Sequence, residues 1–321
     1  MTRVAAIDCG TNSLRLLIAD IDTSAVAEGG RPIISDVDRR MVVVRLGQGI
    51  DATGEFHPDA LERTRVALAE YAQLIADAGA TKIRMVATSA TRDAGNREDF
   101  FSMTEEILGA VVPGTRAEVI SGDEEARLSF VGAVSELDPA DGPFVVVDLG
   151  GGSTEVVYGT NTVEAAKSVN IGCVRLTERC LPSNPPTATE VAHARAVARE
   201  VLREAFHTVP LAPARTWVGV AGTMTTLAAL AHNLKTYDPN KIHLSTTSFT
   251  RLNEVCEKLI GATRDERLAL GPMHPGRADV IGGGAIITRV LADEIGAISG
   301  IDTLTVSEHD ILDGIALSLV E

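Results

Sequence analysis

The chain has 321 residues, 45% hydrophobic and 23% charged, a composition of folded globular proteins and too apolar for a disordered one. Lys and Arg number 29 against 44 Asp and Glu, a net charge of −15, which excludes a duplex nucleic-acid partner gripped by a broad basic face; aromatics at 3% are too few for base stacking. The length suggests two domains, and the absence of a signal-peptide core, a membrane span or a C-x-x-C pair leads us to expect a cytoplasmic protein with reduced thiols and no membrane partner.

Apolar runs at 4–7, 14–21 and 33–46 read as strands, with Gly10 and the Gly29-Gly30 pair at the bends. A helix opens at Pro58, carries a stripe of Leu61, Leu68, Tyr71, Leu74 and Ile75, and closes at Gly79. Residues 82–88 form a strand, Asn96 is placed to cap a helix reaching about Leu108, and 118–120 form a short strand. Residues 123 to about 137 are helical, and 144–148 are a β-branched, buried strand. Strands follow at 153–159 and 162–169, then a helix over about 189–206 and a strand at 216–221. Helices near 223–233, 248–260, 278–295 and 310–320, with a strand at 303–306, complete an α/β pattern.

One motif occurs twice. Asp8-Cys9-Gly10-Thr11-Asn12-Ser13 and Asp148-Leu149-Gly150-Gly151-Gly152-Ser153 both read D-x-G-x-x-S, each between two apolar strands. A single copy would be an ordinary hairpin, whereas two suggest related domains whose loops face a cleft. Glycine-rich turns expose backbone N–H groups that bind phosphate oxygens, with Ser153 and Thr154 as added hydroxyls. Asp148 and Glu155 bracket the second loop, as carboxylates holding Mg2+ would. The Walker pattern is absent.

Two other strand–helix junctions carry candidates. Thr88–Asn96 offers Arg92 as a fork for phosphoryl oxygens, or else a solvated loop in which Asn96 merely caps. In Ile120–Ala126, acids at a helix start complement the dipole, or one of them, pointing into the cleft, serves as general base for water. Gly222-Thr223 makes a third such junction, while Gly282-Gly283-Gly284 in an apolar helix implies close helix approach. The seven histidines show no metal-ligand spacing, and His57, His193, His207 and His309 read as surface or cap residues. Residues 291–321 hold seven acids and no Lys or Arg; bordering a cleft mouth, they would repel long polyanions.

The set DCGTNS, TSATRDAGN, ISGDEEA, DLGGGSTE, IGCVRL, GVAGTMTTLA and SEHDILDGIA, in that order from Asp8 to about Ala316, resembles the exopolyphosphatase / guanosine pentaphosphate phosphohydrolase family. The resemblance implies two ribonuclease-H-like domains of the superfamily of acetate kinase, sugar kinases and actin. They would span 1–125 and 126–304, with the helix of about 305–321 packing back on the first. It implies release of the terminal phosphate of inorganic polyphosphate or of pppGpp by water, assisted by Mg2+ or another divalent cation, and it allows a homodimer. Glu125 matches the base and Arg92 the arginine on the terminal phosphate. Asp148 and Glu155 match the metal-associated acids. Asp8, Thr11, Asn12, Ser13, Asn96, Gly150, Gly151, Gly152, Ser153, Gly222 and Thr223 stand as phosphate-binding candidates. Longer relatives carry further C-terminal helical domains, so a chain stopping at Glu321 favours short polyphosphates or a nucleotide. An ATP-dependent small-molecule kinase of the same superfamily is the rival reading, disfavoured by the ISGDEEA acid and by the lack of an aromatic sugar pocket. A non-catalytic alarmone sensor is the third, disfavoured because Glu125, Arg92 and the metal acids are all retained.

Overall fold

A computed structural model describes residues 1–24, 26 and 31–320, so the Gly29-Gly30 bend and Glu321 lie outside the described residues. The chain divides into two units, 1–135 with 311–321, and 136–310.

In the first unit β1 (Thr2–Cys9), β2 (Ser13–Asp22) and β3 (Ile33–Val43) form an antiparallel meander. Next come α1 (Ile50–Thr53), α2 (Pro58–Ala78), β4 (Lys82–Ala87), α3 (Ser89–Asp93), α4 (Arg97–Gly109), β5 (Ala117–Val119) and α5 (Gly122–Ala133). β4 and β5 add in parallel beside β1, giving the order β3-β2-β1-β4-β5. Strand alternation sends Ala5, Ile7, Leu14, Leu16 and Ile18 to one face, under Leu68, Tyr71 and Phe100. Val4, Ala6, Leu17, Ala19 and Ile21 go to the other, with Leu128 of α5. α2 begins as its sequence requires. Pro58 occupies the first turn, the His57 ring accepts the Asp59 N–H, and Gly79 ends the helix at φ 69. β3 stops at Val43, short of residue 46, because the N–H groups of Val44 and Arg45 turn to the Asn12 carbonyl.

The second unit repeats the plan with β6 (Phe144–Leu149), β7 (Thr154–Gly159), β8 (Val163–Val169), α6 (Cys173–Cys180), α7 (Ala188–Thr208), β9 (Thr216–Val220) and α8 (Ala221–Ala231). It continues through α9 (Pro239–Ile242), β10 (Ser245–Ser248), α10 (Phe249–Gly261), α11 (Arg264–Leu268), α12 (Ile281–Ser299) and β11 (Thr303–Val306). The order is β10-β11-β9-β6-β7-β8, the same meander with two parallel additions, plus β10 as an antiparallel edge. Both sheets have the ribonuclease-H-like order. α12 starts at Ile281 rather than 278 because Pro275–Arg277 forms a separate 3-10 turn. Its glycines allow close packing: a Cβ on Gly284 would lie 2.7 Å from Thr223 Cγ2, and one on Gly283 2.8 Å from the Cys173 carbonyl.

The chain ends in α13 (Ile311–Leu317), which packs in the first unit. Its buried Asp313 accepts Arg39 Nη2 at 2.6 Å. The division at 135/136, rather than 125/126, follows from α5, which runs unbroken through Glu125 and buries Leu128 in the first unit. Among the described residues no helix is long and apolar enough to cross a membrane.

Candidate active site

In the first unit the carboxyl ends of β1, β4 and β5 lie side by side, with Cys9 beside Ala87 and Ala87 beside Val119. The three junctions singled out from sequence therefore leave one edge of one sheet, where ligands of open α/β sheets bind. In the first, the Gly10 N–H donates to the Ser13 carbonyl at 3.0 Å. The carbonyls of Thr11 and Asn12 accept from Gly47 and from Val44 and Arg45. Asp8 is buried and accepts Arg15 Nε at 3.0 Å and Nη2 at 2.7 Å on its Oδ2.

The other two junctions meet through one ion pair. Arg92, on α3, donates Nη1 to Glu125 Oε2 at 2.7 Å and to the Ile120 carbonyl at 3.0 Å. Glu125 stands in the first turn of α5, where Ser121 caps the Glu124 N–H, and is 7% exposed. The Nε and Nη2 of Arg92 bond to nothing else among the described residues, so a fork of N–H donors remains beside a fixed carboxylate.

Asn96, a phosphate-binding candidate from the sequence, clamps the chain at Phe56. The Phe56 N–H donates to its Oδ1 at 2.8 Å and its Nδ2 donates to the Phe56 carbonyl at 3.2 Å. It occupies the N-cap of α4 but makes no side-chain cap, and its second Nδ2 hydrogen is not used by these bonds.

The second unit repeats the loop with different flanks. The Gly150 N–H donates to the Ser153 carbonyl at 3.1 Å, matching Gly10 and Ser13. The start of α6 ties down the loop carbonyls: Cys173 N–H to Gly150, Val174 and Arg175 N–H to Gly151, and Arg175 Nε to Gly152. The N–H groups of Gly151, Gly152 and Ser153 have no acceptor among the described residues, as an anion nest requires. A Cβ on Gly172 would lie 2.6 Å from the Gly152 nitrogen, so the IGCVR segment reaches the loop only through glycine. Asp148 and Glu155 face each other across β6 and β7, at 6% and 1% exposure, and Glu155 Oε1 accepts Ser168 Oγ at 2.7 Å. Arg15 holds the corresponding place opposite Asp8 in the first unit. An arginine thus stands opposite the aspartate in one hairpin, and a second carboxylate stands opposite it in the other.

Gly222 and Thr223 lie in the first turn of α8, which has no side-chain cap. The turn is reached through Ala221 at φ 70, a left-handed conformation costing an L-residue about 1–2 kcal/mol, the kind of strain that gathers at functional sites. The Arg277 guanidinium lies against Gly222, with Nη1 3.3 Å from Thr226 Oγ1. Nothing in the spacing of the PGRAD stretch singled out this arginine. The neighbouring Cys173 thiol is pushed up to about 11 by burial, which keeps it from acting as a nucleophile at neutral pH.

A model described as the Ppx/GppA phosphatase family matches residues 21–319, a span that holds the glycine loop and the α8 turn of the second unit and the Arg92–Glu125 pair of the first. The chain belongs to the Ppx/GppA phosphatase family. Exopolyphosphatase 2 of Mycobacterium tuberculosis is 62% identical over 319 residues, covering 99% of each chain. A solved exopolyphosphatase-like protein matches with a TM-score of 0.90 at 44% identity, over 99% of this chain and 98% of that one. The Ppx/GppA family member of Aquifex aeolicus matches at 0.79 and 32%, over 99% and 97%. The two ribonuclease-H-like units are those of the actin-like superfamily.

Within the acidic segment 291–321, three acids pair with arginines: Arg199 binds Glu294 at 2.9 Å and Asp293 at 3.8 Å, and Arg39 binds Asp313. His309, read from the sequence as a surface or cap residue, packs its ring against His243, with centroids 4.6 Å apart and the planes tilted by 37°.

Proposed function

We propose that the chain is an exopolyphosphatase that hydrolyses the terminal phosphoanhydride of inorganic polyphosphate, with Glu125 as the base that orients and deprotonates water. The observation that carries this is the Arg92–Glu125 pair: a buried carboxylate held at 2.7 Å by an arginine with N–H groups to spare. Water held by Glu125 attacks the terminal phosphorus, the bridging P–O bond breaks, the shortened chain leaves with the bonding electrons, and the water proton passes to Glu125. Such transfers are largely loose, so placement of water and charge matters more than base strength. Arg92 meets the oxygens of the transferred phosphoryl group. The free N–H groups of Gly151, Gly152 and Ser153, the first turn of α8 and Arg277 bind phosphates, as do Thr11, Asn12 and Ser13 in the first unit.

The Asp148–Glu155 pair fits a divalent cation of the Mg2+ class, because two carboxylates directly opposite each other on one sheet face offer the hard oxygen donors such an ion takes. When bound, the cation supplies positive charge to phosphate oxygens. Four free, buried cysteines accord with a reducing compartment, and we place the reaction in the cytoplasm.

The test is phosphate release from short polyphosphate, long polyphosphate and pppGpp side by side, with and without Mg2+. Release from polyphosphate with Mg2+ and no acceptor supports the reading. Phosphate transfer only to an added acceptor would make the chain a kinase, and tight pppGpp binding without release would make it a sensor.

A further inference from the structure

The antiparallel pairing of β10 with β11, in register Ser245 to Val306, brings His243 and His309 together just beyond the paired strand ends. Glu136, the first residue of the second unit, joins them, and the three residues present ligand atoms all within 4.8 Å of one another. His243 Nε2 is 2.9 Å from Glu136 Oε2, and His309 Nδ1 is 3.8 Å from Glu136 Oε1. Tetrahedral coordination at about 2.0–2.1 Å spaces ligand atoms by about 3.3 Å, so the three ligand atoms, already within 4.8 Å of one another, need only draw together by small side-chain rotations around an ion. His309 Nδ1 is buried and makes no hydrogen bond among the described residues. The supports are fixed. The His309 N–H donates to Ser307 Oγ, Ser307 Oγ donates to the His309 carbonyl, and the His243 N–H donates to the Pro239 carbonyl. The Glu136 side chain is 55% exposed, so an ion has a path in.

We propose that Glu136, His243 and His309 bind a divalent transition cation of the zinc class. Two imidazoles and one carboxylate suit Zn2+ or Co2+, whereas Mg2+ prefers oxygen and retains its water. These residues take no part in the phosphate loops, and the proposal is independent of the hydrolytic reading above. One contact opposes binding. The Glu308 N–H donates to His243 Nδ1 at 3.2 Å, which leaves the ring proton on Nε2. Coordination at Nε2 shifts that proton to Nδ1, so the Glu308 amide must give up its acceptor. The site is therefore weaker than a structural zinc centre and exchanges its ion.

Cobalt provides the test, because Co2+ in a tetrahedral nitrogen–oxygen site absorbs in the visible. The full chain is titrated with Co2+ in excess Mg2+, following absorbance and heat. We expect one Co2+ per chain with a tetrahedral band, displaced by Zn2+ and unchanged in D148N. The band is lost in H309A and H243A, and affinity falls at least tenfold in E136Q, whose exposed side chain can be changed without disturbing the fold. Metal-free melting curves identify any histidine variant that fails to fold, and E136Q then decides. A wild-type chain without the band, or an E136Q titration identical to wild type, overturns the proposal.

Discussion

Gly172 is the most exacting test of the phosphate loop, because its replacement separates loop position from overall folding. Its φ of −156 is ordinary extended backbone, so alanine adds a methyl group and no conformational strain. That methyl would meet the carbon and oxygen of Gly151 and lie 2.6 Å from the Gly152 nitrogen. Backbone contacts of this kind relax only near 3.4 Å, so the loop or the start of α6 must retreat by about 1 Å, at the roughly 1–3 kcal/mol of an overpacked core. Three α6 N–H groups bond to the Gly150 and Gly151 carbonyls, so the loop cannot withdraw without loosening them. A displacement of about 1 Å in a positioning group costs about 100-fold in rate. G172A should therefore unfold at lower denaturant by about 1–3 kcal/mol and lose about 100-fold in kcat/KM for polyphosphate. G79A is the matched control: its φ of 69 disfavours alanine by about 1 kcal/mol, but the space is open and the site is remote in sequence. A folded G172A with wild-type kcat/KM would show that the fixed loop is not what positions the phosphates.

The His274 ring is held below its ordinary 6.5 by burial and then by Arg277, and its Nδ1 accepts the Gly276 N–H at 3.1 Å. The folded state takes up that proton less readily, so this stabilisation is complete above about pH 6.5 and is lost as pH falls below it. H274N, which keeps an acceptor and does not titrate, should flatten the acid side of the stability profile from pH 7 to 5, and an NMR titration of His274 at or above 6.5 would contradict this. D313N removes the carboxylate that Arg39 holds at 2.6 Å under α13 and should cost about 3 kcal/mol, the low end for a broken buried pair because Arg39 is 30% exposed. Chemical denaturation measures it, and a loss below about 1 kcal/mol would show that α13 is held by its apolar face alone.

The two loops were legible because their chemistry is local. D-x-G-x-x-S closes the same Gly-to-Ser hydrogen bond in both units, and hairpin register alone places residue 8 opposite 15 and residue 148 opposite 155. The Asp8–Arg15 pair could have been found by counting outward from the turn. Arg92 and Glu125 stand at recognisable strand–helix junctions, but their contact depends on β4 and β5 being neighbours. Arg277 carries no local signal, since a 3-10 turn before α12 delivers it to a helix start far earlier in the chain. The Phe56 clamp made by Asn96 carries no sequence signal, because a cap residue and a clamp use the same amide and only the fold brings Phe56 to it. The histidine cluster was hidden for a similar reason, as β10 is a four-residue edge strand without apolar alternation.

In the proposed mechanism Glu125 handles the attacking water while other groups hold the phosphates. Single-turnover hydrolysis of a short polyphosphate by E125Q, with binding measured on the same preparation, tests it most directly. Gln keeps the size and can still accept from Arg92, but it is a far weaker base; general-base contributions of about 100- to 10,000-fold set the expected loss. We expect a fall in the chemical step of that order with Kd within about threefold of wild type. Turnover at the wild-type rate would contradict it.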